Sequence, residues 1–209
     1  MPAPLLYNSF MNKINFNAEM KKTVQSFGGE KKRLLLHACC APCSSACLER
    51  LKDFFEITVL FYNPNIEDEE YFKRKAELIR FIKETGWAKI IDCPHSTEEF
   101  YAVAKGLEKC KEGGERCAAC FKLRLEETAK TAEAGGFDYF CTTLTLSPLK
   151  NAELINEIGA RLGKEYGVNW LFSDFKKENG YLRSLKLSEE HSLYRQNYCG
   201  CVFSKNPLD

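Results

Sequence analysis

The stretch Arg33-Leu34-Leu35-Leu36-His37-Ala38-Cys39-Cys40-Ala41-Pro42-Cys43 decides the fold. Its first part, 33–38, is a short apolar run that reads as a buried strand. Helical spacing follows at once through Cys43, Cys47, Leu48 and Leu51. A buried strand feeding directly into a helix is the start of a parallel βαβ unit.

The rest of the chain repeats that alternation. Residues 55–62 read as a second strand, and Asn63-Pro64-Asn65 as the turn that ends it. Asp68 is placed to cap a helix over 69–85, with Phe72, Ala76, Ile79 and Ile82 on one face. A short strand is expected at 89–91. Ser96-x-x-Glu99 has the form of a capping box for a helix reaching about residue 107. After a polar loop, 117–134 is helical, with Phe121, Leu125, Thr128 and Ala132 in register, and Gly135-Gly136 stops it. Strands are expected at 139–143 and 169–172, a helix at 151–166, and two closing helices at 177–185 and 188–196. The pattern predicts an α/β fold with a mostly parallel, doubly wound sheet. Residues 1–30 form an amphipathic lead-in, where Tyr7, Phe10, Met11, Ile14 and Phe16 suggest a short helix. Residues 31–209 form a single α/β domain.

Ligands of such sheets bind beyond the carboxyl ends of the strands. The Cys39-Cys40 doublet, the 63–65 turn and the 143–150 segment all fall at such ends.

The bulk properties set limits. With 209 residues and 44% hydrophobic content, the chain can bury a full core without disulfides. A net charge of +1 points neither toward nor away from nucleic acid. Eleven cysteines is an odd count, and residues 1–29 hold no apolar leader, since Asn8, Asn12, Lys13, Asn15 and Asn17 interrupt it. No stretch approaches the roughly 18 apolar residues of a membrane span. A reduced, cytoplasmic protein without a membrane partner is the expectation, and clustered cysteines there mean metal or catalysis.

Cys117-x-x-Cys120 opens a helix, whose N-terminus favours thiolates. With Cys39 and Cys40 it supplies four sulfur ligands, enough for zinc or a [4Fe–4S] cube. Adjacent cysteines fit one tetrahedral ion poorly but can hold different corners of a cluster, which favours iron–sulfur. Cys199-Gly200-Cys201 is different. One intervening glycine permits a tight, strained and easily reduced ring, as a catalytic dithiol–disulfide couple requires. Two further metal ligands are the other reading of that pair. Cys43 either binds a second metal ion or packs. His37 reads as a hydrogen-bonded core histidine. Cys47, Cys93, Cys110 and Cys141 read as packing residues.

Several segments together resemble one family. They are Leu36-His37-x-Cys39-Cys40-Ala41-Pro42-Cys43, Phe61-Tyr62-Asn63-Pro64-Asn65-Ile66 with Glu70, Tyr71 and Arg74, and Arg116-Cys117-x-x-Cys120. Thr142-Thr143-Leu144-x-x-Ser147-Pro148-x-Lys150 and Tyr198-Cys199-Gly200-Cys201 complete the set. The chain resembles the QueH-type epoxyqueuosine reductases from about residue 33 to 203. The resemblance implies reduction of epoxyqueuosine to queuosine at the wobble position of tRNA, the last step of that modification. It implies a fold similar to the ATP-pyrophosphatase-like (HUP/Rossmann-like) proteins, with 31–209 as the catalytic domain. By similarity Cys39, Cys40, Cys117 and Cys120 would carry a [4Fe–4S] cluster, and Cys199 and Cys201 would be the redox-active pair. An additional iron is also implied, with Cys43 as one candidate ligand, along with tRNA and an unidentified electron donor as partners.

Tyr62, Asn63, Asn65 and Ser147 are placed on the expected active edge to orient the substrate. Lys73, Arg74, Lys122, Arg124 and Arg195 are the basic residues nearest the motifs, and Arg74 is expected to meet tRNA phosphate. Two competing readings remain at this level. One is a cluster-bearing, ATP-dependent tRNA thiolation enzyme, which needs a glycine-rich loop that 38–44 lacks. The other is a zinc-stabilised RNA-binding module with no catalytic activity.

Overall fold

The structure, a computed structural model, describes residues 14–205. Helix α1 (Phe16–Gln25) starts where the Asn15 side chain accepts the Ala18 amide at 3.1 Å. Met20 enters the core, and Phe16 stacks on Phe172 with ring centroids 5.9 Å apart. Of the residues expected to form an N-terminal helix, Tyr7, Phe10 and Met11 lie outside the described residues, and Ile14 is exposed.

Strand β1 (Lys32–His37) carries Leu34, Leu35 and Leu36, all fully buried. Helix α2 (Ala41–Leu51) follows after three residues. Its N-cap is Cys40, whose thiol accepts the Cys43 amide at 3.4 Å. Pro42 lies in the first turn, where its missing N–H leaves no bond unmade. Strand β2 (Phe55–Leu60) leads through the Asn63-Pro64-Asn65 turn into α3 (Asp68–Thr85). The N-cap of α3 is Glu67, so Asp68 is its first helical residue. The buried face is Tyr71, Arg74, Leu78, Phe81 and Ile82, while Phe72 is exposed. The expected face was therefore rotated. Tyr71 and Arg74 can be buried because their polar tips find Phe61 O and Glu70.

Strand β3 (Lys89–Ile91) precedes α4 (Glu98–Ala104), which is shorter than expected. The capping box does not form: Thr97 is the N-cap, and Ser96 accepts the Glu98 amide instead. Helix α5 (Glu115–Ala134) brings Cys117 and Cys120 into its first two turns. Strand β4 (Tyr139–Thr142) runs into a 3-10 turn over Thr143–Leu146. Helix α6 (Ala152–Tyr166) is capped by Asn151. Strand β5 (Asn169–Trp170) is only two residues long, and one helix, α7 (Gly180–Glu190), stands where two were expected. The second expected helix is absent because 193–199 runs as irregular chain into the cysteine pair.

The five strands form one sheet in the order β3-β2-β1-β4-β5, and every ladder is parallel. Helix α2 packs with α3 and α7, and α5 packs with α4 and α6. With the right-handed crossovers that parallel strands take, this strand order assigns the two groups to opposite faces of the sheet. The strand order reverses between β1 and β4. That leaves a crevice beyond their carboxyl ends, where His37 and Thr142 are register partners.

Candidate active site

The crevice is a cavity of about 320 Å³. Cys39 enters it from the β1–α2 turn, Cys43 from the first turn of α2, Arg124 from α5, Ser147 and Lys150 from the segment after β4, and Cys199 from the C-terminal loop. Arg74 and Arg195 also line it, against a single acid, Glu112.

The sulfurs of Cys39, Cys40 and Cys43 all lie within 4.8 Å of one another. Cys39 Sγ is 3.9 Å from Cys40 Sγ. A tetrahedral ion with metal–sulfur bonds of about 2.3 Å has ligand edges of about 3.8 Å. Adjacent cysteines therefore do fit around one ion here, because Cys40 caps α2 and turns its thiol back over the first turn. Hydrogen bonds from Cys40 and Cys43 hold the Cys39 thiol well below its ordinary pKa, with Arg124 and Lys150 helping against burial. The same sharing raises Cys40 to about 12 and pushes Cys43 up. Of the three, Cys39 is the sulfur whose anionic form the site favours.

Arg124 is 1% exposed. Its Nε donates to His37 Nε2 at 3.3 Å, its Nη1 reaches Cys120 Sγ at 3.9 Å, and its Nη2 donates to Asn63 Oδ1. His37 is fully buried, with Nδ1 2.8 Å from Thr142 Oγ1. Burial, and then the Arg124 charge, lower its pKa to about 3, so it is neutral. Burial also opposes the Lys150 ammonium, but Cys199, Cys39 and Cys43 more than offset this and hold its pKa above the usual lysine value.

The C-terminal cysteines are held from α3. Arg74 is 1% exposed and bonds Glu70 Oε1 at 2.6 Å, Cys199 O at 3.1 Å and Tyr198 O at 3.4 Å. Gly200 adopts φ +99°, which a side chain rarely permits, and a Cβ there would lie 2.9 Å from Arg74 Nη1. Cys201 packs with Cys120 and Phe100.

A family model described as epoxyqueuosine reductase QueH matches residues 34–207. The chain belongs to the QueH family. The epoxyqueuosine reductase QueH of Staphylococcus epidermidis is 43% identical over 202 residues, covering 92% of this chain and 85% of that protein. Its namesake in Staphylococcus aureus is 41% identical over 211 residues, covering 96% and 88%. A more divergent relative, from Thermotoga maritima, is 37% identical over 176 residues, covering 82% and 89%.

The QueH-type residues expected from the sequence fall into several places. Cys39, Cys40 and Cys43 form one group, whereas Cys117 and Cys120 stand outside it. Cys117 Sγ accepts the Gly113 amide at 3.2 Å. Ser147 lines the cavity. Asn63 is buried and donates to Ala38 O at 2.8 Å, so it braces the β1 turn. Asn65 is buried, and its amide finds no hydrogen-bond partner among the described residues. The Tyr62 hydroxyl donates to Glu99. Arg74 and Arg124 are not surface charges. Both are buried and line the cavity, so neither is the solvated charge that the sequence suggests. The signal that would have found Arg124 is its spacing: four residues after Cys120 on one helix, it shares the face of that sulfur.

Proposed function

We propose that this chain reduces epoxyqueuosine to queuosine at the wobble position of tRNA. The observation that carries this reading is the convergence of the Cys39–Cys40–Cys43 triad, Cys199 and two buried cations on one cavity at the strand switch point. Membership of the QueH family supports it independently. The strand order supports the finer fold reading, an ATP-pyrophosphatase-like, HUP/Rossmann-like sheet. Thiols occupy the turn after β1 where such folds carry glycines for phosphates.

The donor set fits a thiophilic metal, since the triad sulfurs are buried and at ligand spacing. In this reading Cys39 and Cys40 would hold a [4Fe–4S] cluster together with Cys117 and Cys120, which stand outside the triad, and Cys43 would contribute to an additional iron. Bound there, the metals supply one-electron transfer and a Lewis acid for the epoxide oxygen.

The protein's own residues account for the stoichiometry. Converting the epoxide to an alkene releases its oxygen as water and consumes two electrons and two protons. Closing the Cys199–Cys201 dithiol to a disulfide releases two electrons and two protons. A thiol or other two-electron donor then reopens the disulfide. Ser147 and Lys150 line the cavity, and in this reading they hydrogen-bond the cyclopentane oxygens. The wobble base leaves its stack to enter, and exposed Lys73 and Arg195 carry the phosphate contacts. Among the described residues no helix is long and apolar enough to cross a membrane. Eleven free thiols suit the cytoplasm.

The test is anaerobic incubation with epoxyqueuosine-containing tRNA and a reductant, followed by nucleoside analysis. Queuosine is expected, from a brown protein absorbing broadly near ~400 nm. Cys40→Ala and Cys199→Ala both abolish turnover, and only Cys40→Ala lowers the iron content. A colourless protein with stoichiometric zinc would sink the reading.

A further inference from the structure

Arg124 is a buried cation without an acidic partner. Among the described residues no carboxylate pairs with it, whereas Arg74, equally buried, has Glu70. Its bonds go to neutral groups, the Asn63 amide oxygen and His37 Nε2, and to one sulfur, that of Cys120. Burying a charge that nothing compensates costs several kcal/mol in order-of-magnitude terms. A fold does not keep such a group unless anions balance it. The remaining groups beside Arg124 that can take up negative charge are sulfurs: Cys120 Sγ lies 3.9 Å from its Nη1, and Cys39 and Cys199 line the same cavity.

Position strengthens the argument. Arg124 bonds one cysteine group through Cys120 and lines the same cavity as the other, which a different element contributes. Cys39 comes from the β1–α2 turn, and Cys120 packs against Cys201 from the C-terminal loop. The guanidinium is held on its other side by Asn63, which is itself tied to Ala38 O, the carbonyl preceding the doublet. The charge is thus fixed relative to the sulfurs, and unlike lysine or histidine it cannot be titrated away.

We infer that Arg124 is the permanent counter-charge of the sulfur site and sets the reduction potential of the metal centre bound there. The inference rests on the iron–sulfur reading above. A fixed cation and a donor to a ligand sulfur both favour the more negative, reduced state, so each raises the potential. Arg124 is a positioning and electrostatic residue and need not touch the substrate.

The experiment is an EPR-monitored redox titration of the anaerobically reconstituted full-length protein. Wild type is compared with Arg124→Met, Arg124→Gln and Arg124→Lys, with iron content and circular dichroism measured on each. Arg124→Met and Arg124→Gln are expected to shift the redox equilibrium at least tenfold toward the oxidised form, 59 mV for one electron. Arg124→Lys, which keeps the charge, recovers most of that shift. A folded but iron-free Met variant beside an iron-loaded Lys variant supports the inference equally, since charge separates them. A loaded Met variant with the wild-type midpoint overturns the inference alone. Loss of fold in both uncharged variants makes Arg124 a structural residue and also overturns it. A wild type that takes up no cluster overturns the reading of the site, and this inference with it.

Discussion

Arg74, on the buried face of α3, donates to the main-chain carbonyl of Cys199 at 3.1 Å. A side chain 125 positions away in sequence therefore fixes the start of the cysteine loop. Its ion pair with Glu70 is nearly dry, with side-chain exposures of 1% and 15%. Removing one partner of a buried pair strands the other and costs about 3–5 kcal/mol. Arg74→Ala is expected to lower the urea midpoint accordingly and to free the 198–201 loop. It leaves the salt dependence of tRNA binding unchanged. Arg195, exposed at the cavity rim, behaves oppositely. Arg195→Ala reduces the slope of log K against log salt by about 0.7, the value for one single-strand phosphate contact. Binding isotherms at several salt concentrations check both, and a reduced slope in Arg74→Ala would restore Arg74 as a phosphate contact.

Gly200 sits under the same clamp. Alanine at φ +99° carries backbone strain of about 1–3 kcal/mol. Its methyl would also meet Arg74 Nη1 and Ile66 Cγ1, each 2.9 Å away. Gly200→Ala is expected to leave the sheet intact and to dislodge the loop. Cys199 and Cys201 then alkylate faster than in wild type under native conditions, while the fully buried Cys47 and Cys141 do not change. Alkylation of Cys199 and Cys201 at the wild-type rates would show that the loop stays in place despite the added methyl.

What the sequence reveals follows from how local each signal is. The βα alternation is written in short apolar runs, so β1 through β5 and most helices are legible. The site is legible where chemistry and spacing coincide, as in Cys39-Cys40, whose sulfurs the structure groups with that of Cys43. It is hidden where the partner is remote. Arg74 looks like surface charge, because nothing near it in sequence announces Cys199 O, and the only local sign of the burial of Arg124 is its spacing of four from Cys120. The rotated face of α3 has the same cause: burying Tyr71 and Arg74 is tolerable only because Phe61 O and Glu70 await them. The missing second C-terminal helix is a related case, since the route to the cysteine loop overrides local helical spacing.

Helix α6 meets the sheet through Gly159, and here two effects oppose each other. Alanine is a better helix former than glycine by about 1 kcal/mol. Its Cβ, however, would lie 2.3 Å from the Trp170 ring. Trp170 cannot retreat freely, because its Nε1 donates to Asn156 Oδ1 at 3.0 Å, an oxygen that also accepts the Ser173 amide. Overpacking of this kind costs about 1–3 kcal/mol, and breaking the Asn156 bond adds about 1 kcal/mol more. Gly159→Ala is therefore expected to be destabilising overall, by about 1–3 kcal/mol in urea unfolding. A neutral or stabilised variant would mean that β5, only two residues long, shifts to make room.

His95 gives a pH dependence whose sign can be worked out. Its ring stacks on Tyr71 at 3.5 Å, and its side chain is 5% exposed. Burial lowers its pKa below the ordinary value of 6.5, and Asp68, 3.3 Å away, only partly opposes this. The folded state therefore favours the neutral ring. Below pH 6.5 the unfolded chain takes up a proton that the folded chain refuses, so unfolding gains. This contribution to stability is complete above 6.5 and is lost as pH falls toward the lower folded value. His37, lowered to about 3, contributes with the same sign. His95→Phe keeps a ring on Tyr71 without a titrating group. Between pH 7.5 and 5.5 the wild-type urea midpoint is expected to fall, and the His95→Phe midpoint to fall less, since only His37 remains of the pair. Parallel profiles in the two proteins would show that His95 is solvated well enough to titrate as it does in the unfolded chain.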